Sequence, residues 1–170
     1  RKPTDDVIAV DVSQVIDTAL ELFQGRITRL ECKVERHGFD QLSPASGDPI
    51  RLEQVLVNVI GNALDAMSDQ THPHIIISAN ADDKHITLAF SDNGCGISDE
   101  QKQQIFYPFF TTKEIGAGLG LGLSISRKIL LDIGGDISVQ DVIGPPLQQG
   151  TTISITLKRY LTWTIAIALF

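Results

Sequence analysis

Glycine stands at every second position from 116 to 122 in the stretch GAGLGLGLSISRKIL, residues 116–130, and the chain then runs straight into an apolar helical pattern. Inside a regular element each glycine costs roughly 0.5–1 kcal/mol relative to alanine. Four in seven residues therefore mark a segment that side chains would obstruct. It is either backbone wrapped closely around a ligand or a flexible hinge, and the two are compatible. A helix starting near Leu121 would add unpaired amides and the positive end of its dipole, an arrangement suited to an anion. The run reads GxGxGxG and follows an irregular segment, so it lacks the strand context of a GxGxxG dinucleotide loop, and no GxxxxGK[ST] loop occurs.

At 170 residues the chain is long enough for one domain with a real core. The formal net charge of −7 argues against a nucleic-acid partner, which needs a basic face. It leaves room for a phosphorylated small molecule held by amides, one or two cations and a metal. Cys32 and Cys95 form neither a CxxC pair nor a disulfide framework, so both are read as reduced thiols of a cytosolic domain. No secretory signal opens the chain. The apolar run LTWTIAIALF, residues 161–170, is shorter than the about 20 residues a membrane helix needs, and it receives no function.

The spacing of apolar residues at 15, 16, 19, 20, 22 and 23 predicts an amphipathic helix with Ser13 as its N-cap. Residues 29–36 alternate as a half-buried strand, and LSPASGDP, residues 42–49, reads as a loop ending in an Asp48 cap and Pro49. A long helix over 50–67 carries one stripe at 52, 55, 56, 59, 60, 63 and 64. Strands are predicted at 74–81, 85–92, 136–142 and 151–158, with a helix over 121–133 that stops at Gly134–Gly135. The fold class is α+β: a two-layer α/β sandwich, with three helices on one face of a mixed, mostly antiparallel sheet of about five strands.

On the long helix, Asn58, Asn62 and Asp65 share a face away from the apolar stripe. They read either as a solvated polar face or as oxygen ligands for Mg²⁺. SDNGCGI, residues 91–97, ends a strand pattern and reads either as a common turn or as a site where a base approaches the backbone. In the second reading the Asp92 carboxylate would accept from an exocyclic amine, and Gly94 and Gly96 would admit the base. In IFYPFFTTK, residues 105–113, the phenylalanines would pin a loop onto the core while Thr111, Thr112 and Lys113 reach for phosphates.

In chain order, NVIGNALDA, DNGCGI, FYPFFTTK, GLGLGLSI and GTTISI resemble the N, G1, F, G2 and G3 boxes of the ATP-binding catalytic domain of bacterial sensor histidine kinases. That fold is shared with type II topoisomerases, an ATP-driven heat-shock chaperone and mismatch-repair ATPases. The wording is most similar to sensor kinases of the C4-dicarboxylate and nitrogen-regulation type. The resemblance covers residues 6–158. It leaves 1–5 as a linker from a missing dimerisation domain and 159–170 as an apolar tail. It implies that Asn62 coordinates Mg²⁺ on ATP with Asn58 assisting and Asp65 nearby. Asp92 would bind the adenine amine, and Gly94, Gly96 and Ile97 would shape the base pocket. Phe109 and Phe110 would anchor a flexible ATP lid, and Thr111, Thr112 and Lys113 would approach the phosphates. Gly118, Leu119, Gly120, Leu121 and Gly122 would form the phosphate-facing turn, and Thr152 would line the adenine end. Leu119 departs from the small hydroxyl residue frequent at its position; pointing inward it would alter lid packing, pointing outward it would change little.

The resemblance also implies a division of mechanism. ATPase relatives place a glutamate four residues before the metal asparagine to activate water. Here that position is Asn58, an amide, and the acids of the helix, Glu53 and Asp65, lack the spacing. Phosphoryl transfer would then rest on Asn58, Asn62, the metal and Lys113. None of His37, His72, His74 and His85 has the acidic successor usual for an acceptor histidine. The acceptor would lie on the parent's own dimerisation helices, with a response regulator downstream. The domain itself would be cytoplasmic, make no membrane contact, and belong to a parent anchored in the bacterial inner membrane. The rival readings are a hydrolysing ATPase of the same fold and an interaction domain that has lost its nucleotide.

Overall fold

In the computed structural model, which describes residues 8–112, 119–142 and 144–161, one long helix, α3 (Pro49–Ala66), organises the helical layer. Asp48 caps it, its carboxylate accepting from the Ile50 and Arg51 amides at 2.9 and 3.3 Å, with Pro49 in the first turn. The stripe Leu52, Val55, Leu56, Val59, Ile60, Ala63 and Leu64 is buried as the 3.6-residue period requires. Each such large aliphatic side chain contributes roughly 1.5–3 kcal/mol relative to exposure. Helices α1 (Val12–Leu22) and α5 (Gly122–Asp132) pack on either side of α3.

Beneath these helices lies a five-stranded sheet in the order β2-β4-β5-β7-β6. Its strands are β2 (Lys33–His37), β4 (His74–Ala81), β5 (His85–Asp92), β6 (Asp136–Asp141) and β7 (Thr151–Lys158). Only β2 and β4 are parallel; the other pairs are antiparallel, so the predicted mixed, mostly antiparallel sheet is observed. The period of two sends Ile75 and Ile77, Ile86, Leu88 and Phe90, and Ile153, Ile155 and Leu157 into the core against the helices. The alternate positions, such as Ser78, Ala89 and Ser154, sit side by side on the other face. A second, two-stranded sheet pairs β1 (Ile8–Val10) with β3 (Ala45–Gly47).

Several local expectations are corrected. Ser13 is not the N-cap of α1: Asp11 is, accepting from the Gln14 amide, while Ser13 Oγ accepts from Arg36 at 2.7 Å. Leu22, placed on the apolar face, is 63% exposed. Residues 29–32 are not strand, because Gln24–Arg29 forms a short helix, α2. Its last turn closes through Leu30 N–H to Arg26 O, and Glu31 turns left-handed at φ 52° before β2 begins. Residues 45–47 are β3 and not loop, three residues being too few to show alternation. A short helix, α4 (Asp99–Lys102), interrupts the expected irregular segment, opened by a reciprocal capping box between Ser98 and Gln101.

The packed chain also runs past the expected boundary at 158. The Arg159 amide donates to Lys84 O at 2.8 Å and the Tyr160 amide to Pro44 O at 2.9 Å. Residues 1–7 and 162–170 lie outside the described residues. No helix among the described residues is long and apolar enough to cross a membrane.

Candidate functional site

Between α3, the end of β5, the start of β7 and the first turn of α5 lies a cavity of about 480 Å³. Its apolar wall is built from Val59 and Ala63 of α3, Phe90 of β5, Ile153 of β7, and Ile97 and Ile105 from the connection after β5. These are core residues that the sheet and helix leave uncovered at one end, so the slot arises from the packing itself. One carboxylate, Asp92, is set in that apolar surface and is 4% exposed. It accepts from the Gly94 amide at 2.8 Å and from the backbone amide of Thr151. Burial outweighs both bonds and raises its pKa to about 6, from the ordinary 3.8. A carboxylate in an apolar, base-sized slot is a specific acceptor for a planar, amine-bearing ligand.

The polar side is supplied by α3. Asn58, Asn62 and Asp65 all line the cavity, as their shared face predicts. The Asn58 amide nitrogen donates to Ser126 Oγ on α5 at 3.0 Å. Asp65 is ion-paired with Arg26 of α2, which gives this carboxylate a structural partner at the rim. Thr111, Thr112, Leu119, Gly120, Leu121 and Gly122 complete the mouth. Helix α5 starts there with Leu121 as N-cap, no side-chain cap and no acidic residue in its first turn. Its first residues line the cavity, and an uncapped helix start of this kind favours an anion.

Two glycines of the run have identifiable causes. Gly120 has φ 65°, and a Cβ there would collide with the backbone of Phe109 and Phe110, so this turn lies directly on the aromatic segment. At Gly122 a Cβ would overlap the carboxamide of Asn58. Leu119, whose side chain is unusual at its position, is 78% exposed although it lines the cavity mouth. Gly96 lines the cavity at φ 77°, whereas Gly94 packs against Ala66 at the end of α3 and contributes its amide to Asp92.

Two expectations are placed differently. Thr152 does not line this cavity. It lies on the other face of the sheet, its hydroxyl 2.8 Å from Ser91 Oγ, while Thr151 lines the slot beside Ile153. The alternation of TTISITLK, read strictly, puts Thr151 with Ile153 and Ile155 and would have found it. Phe110 packs on the core and lines the cavity, whereas Phe109 is 75% exposed at φ 66° and is among neither the residues packed on the core nor those lining the cavity. Lys113 and Gly118 lie outside the described residues. Gln101 and Leu123 also line the cavity; the Ser98–Gln101 capping signature was the available signal for the first. None of the four histidines lines it: His37 and His74 flank Glu35, and His85 sits beside Asp82.

A helix-covered mixed sheet with an apolar slot, one buried acceptor and a helix N-terminus at its mouth defines a nucleotide-binding α+β domain. Residues 47–161 match the family described as histidine kinase-, DNA gyrase B- and HSP90-like ATPases, and the chain belongs to that family. It is 38% identical over 152 residues to the C4-dicarboxylate transport sensor protein DctB of Rhizobium meliloti (strain 1021), covering 87% of this chain and 23% of DctB. It is 33% identical over 162 residues to the sensor histidine kinase ZraS of Escherichia coli (strain K12), covering 95% of this chain and 33% of ZraS. The chain thus spans a third or less of the length of these relatives. Among solved structures, the nucleotide-free catalytic domain of the histidine kinase ThkA superposes with a TM-score of 0.78 at 26% identity, over 90% of this chain and 95% of that one. The mycobacterial sensor histidine kinase MprB follows at 0.77 and 26% identity, over 92% and 99%.

Proposed function

We propose that the chain is the ATP-binding, phosphoryl-donating module of a sensor histidine kinase in two-component signalling. The observation that carries this reading is Asp92, a buried carboxylate in an apolar slot that two asparagines and an uncapped helix start also line. Adenine fits the slot with its amine on Asp92. The triphosphate then runs toward Asn58, Asn62 and the leading amides of α5. Among the described lining residues no lysine or arginine is present, so the phosphate charge calls for a metal and amides. Among the described residues no group of three His, Cys, Asp or Glu side chains could cage an ion by itself. Amide oxygens fit Mg²⁺, which keeps several waters and takes its other ligands from phosphate. Asn62, with Asn58, would hold it, and the metal would neutralise charge on the transferring group. Lys113 is assigned the remaining positive charge.

The module works on an acceptor outside itself. Asn58, fixed by Ser126, is an amide and cannot take a proton from water at neutral pH, so ATP is held with little hydrolysis. The four histidines lie away from the cavity. The acceptor belongs to the parent's dimerisation helices, with a response regulator receiving the phosphoryl group next, and the domain works at the cytoplasmic side of an inner-membrane parent. Residues 6–158 form the module. Calorimetric titration with ATP, with and without Mg²⁺, tests the reading. Saturable, Mg²⁺-strengthened binding that returns to baseline is expected. Continuing heat with phosphate release would make the chain a hydrolysing ATPase, and absence of binding would leave a fold without its nucleotide.

A further inference from the structure

The carboxamide of Asn58 is held by two positions of α5 that are one helical turn apart. Its nitrogen donates to Ser126 Oγ at 3.0 Å, and its oxygen occupies the space where Gly122 lacks a side chain. Ser126 is one of few buried polar residues among those described, 2% exposed, and the other α5 side chain bonded to α3, Asp132 accepting from Arg51 at 2.7 Å, lies at the exposed end of the helix. A serine on the buried face of an otherwise aliphatic helix is an expensive choice unless its hydroxyl is used. Here it is used for Asn58.

A carboxamide is ambivalent: rotation by half a turn exchanges a donor for an acceptor. Toward a hard cation only the oxygen is useful. With the nitrogen committed to Ser126, the oxygen is left beside Gly122, itself part of the cavity lining. We propose that Ser126 is a positioning residue for the nucleotide-bound metal, fixing Asn58 so that its oxygen is the atom offered to the cavity. Gly122 is the complementary half of the device, since any side chain there would displace that oxygen. The inference rests on the assignment of Asn58 to the Mg²⁺ end of the nucleotide.

The test is ATP affinity of wild type, Ser126→Ala and Ser126→Thr, each measured in Mg²⁺ and in chelator, with Asn58 side-chain amide resonances followed in the nucleotide-free protein. Loss of one hydrogen bond predicts that Ser126→Ala loses about five- to tenfold of the Mg²⁺-dependent gain in affinity. Affinity in chelator stays as in wild type, the Asn58 amide protons exchange faster, and Ser126→Thr restores the gain. If Ser126→Ala keeps the full Mg²⁺-dependent gain, the proposal is overturned while the functional reading stands. Equal losses with and without Mg²⁺, accompanied by a lower melting temperature, would reduce Ser126 to a packing residue and overturn it as well. A wild-type protein that binds no ATP overturns the functional reading, and the proposal falls with it.

Discussion

The Gly94 amide reaches back two residues to the carboxylate of Asp92, 2.8 Å away, and still does not bring that group to its ordinary acidity. Desolvation dominates, and the pKa stands at about 6 in the folded chain against an ordinary 3.8. A raised carboxylate pKa contributes stability that is fully present below 3.8 and is lost as pH rises through 6. Nucleotide binding runs the other way, because the ionised form is the better acceptor for an amine. ATP affinity should therefore fall as pH drops from 7 to 5. The stability of Asp92→Asn relative to wild type should rise over pH 4 to 7. Calorimetry and denaturant melts across that range check both, and an ATP affinity or a relative Asp92→Asn stability that fell with rising pH would contradict the account.

Removing the carboxylate altogether separates binding from folding. Asp92→Ala should lose measurable ATP affinity while unfolding in one cooperative transition, as followed by circular dichroism. Unchanged affinity would withdraw the adenine assignment.

Gly122 and Gly25 make a matched pair. A methyl at Gly122 runs into the Asn58 carboxamide, whereas nothing lies within 4 Å of one at Gly25 in α2. Gly122→Ala should destabilise by about 1–3 kcal/mol and weaken ATP binding. Gly25→Ala should be neutral or stabilise by up to about 1 kcal/mol. Equal melting temperatures for the two variants would refute the overlap.

The cap on α3 tests local against site energetics. Asp48→Ala removes the acceptor of the Ile50 and Arg51 amides and should cost about 1 kcal/mol. Because Asp48 is outside the cavity, ATP affinity of the folded fraction should not change.

Thr152 supplies a negative control. Its hydroxyl meets Ser91 on the face of the sheet opposite the slot. Thr152→Val should cost about 1 kcal/mol of stability through that lost bond and leave ATP affinity within about twofold. A large loss of affinity would return Thr152 to the adenine site.

What was legible in the sequence follows the strength of its periods. The α3 stripe was correct at all seven positions, and the four longer strands were found, because long repeats of 3.6 and 2 residues leave little ambiguity. The misses lie where the signal is short or shared. Leu30, Cys32 and Val34 alternate as a strand would, yet Arg26 and Ile27 capture the amides of Leu30 and Cys32 for a helical turn. Thr152 was displaced by one residue because a motif aligned by resemblance carries no face, and one residue along a strand is the whole thickness of the sheet. Ser126 gave no signal: serine in an aliphatic helix shows its purpose only when Asn58 stands opposite.

The single parallel pairing, β2 with β4, makes α3 part of a crossover whose two ends are tied into one sheet. The exit is clamped further: Asn93 accepts from the His74 amide and donates to His72 O, fastening the α3–β4 turn to the end of β5. Asn58, Asn62 and Asp92 therefore ride on a closed frame, α3 being held at both ends by strands of one sheet. Such a frame is a gauge of fixed width. On the proposed reading it would select its ligand by length between base and phosphates, so an analogue that alters that span by one atom should bind more weakly even when both of its ends are correct.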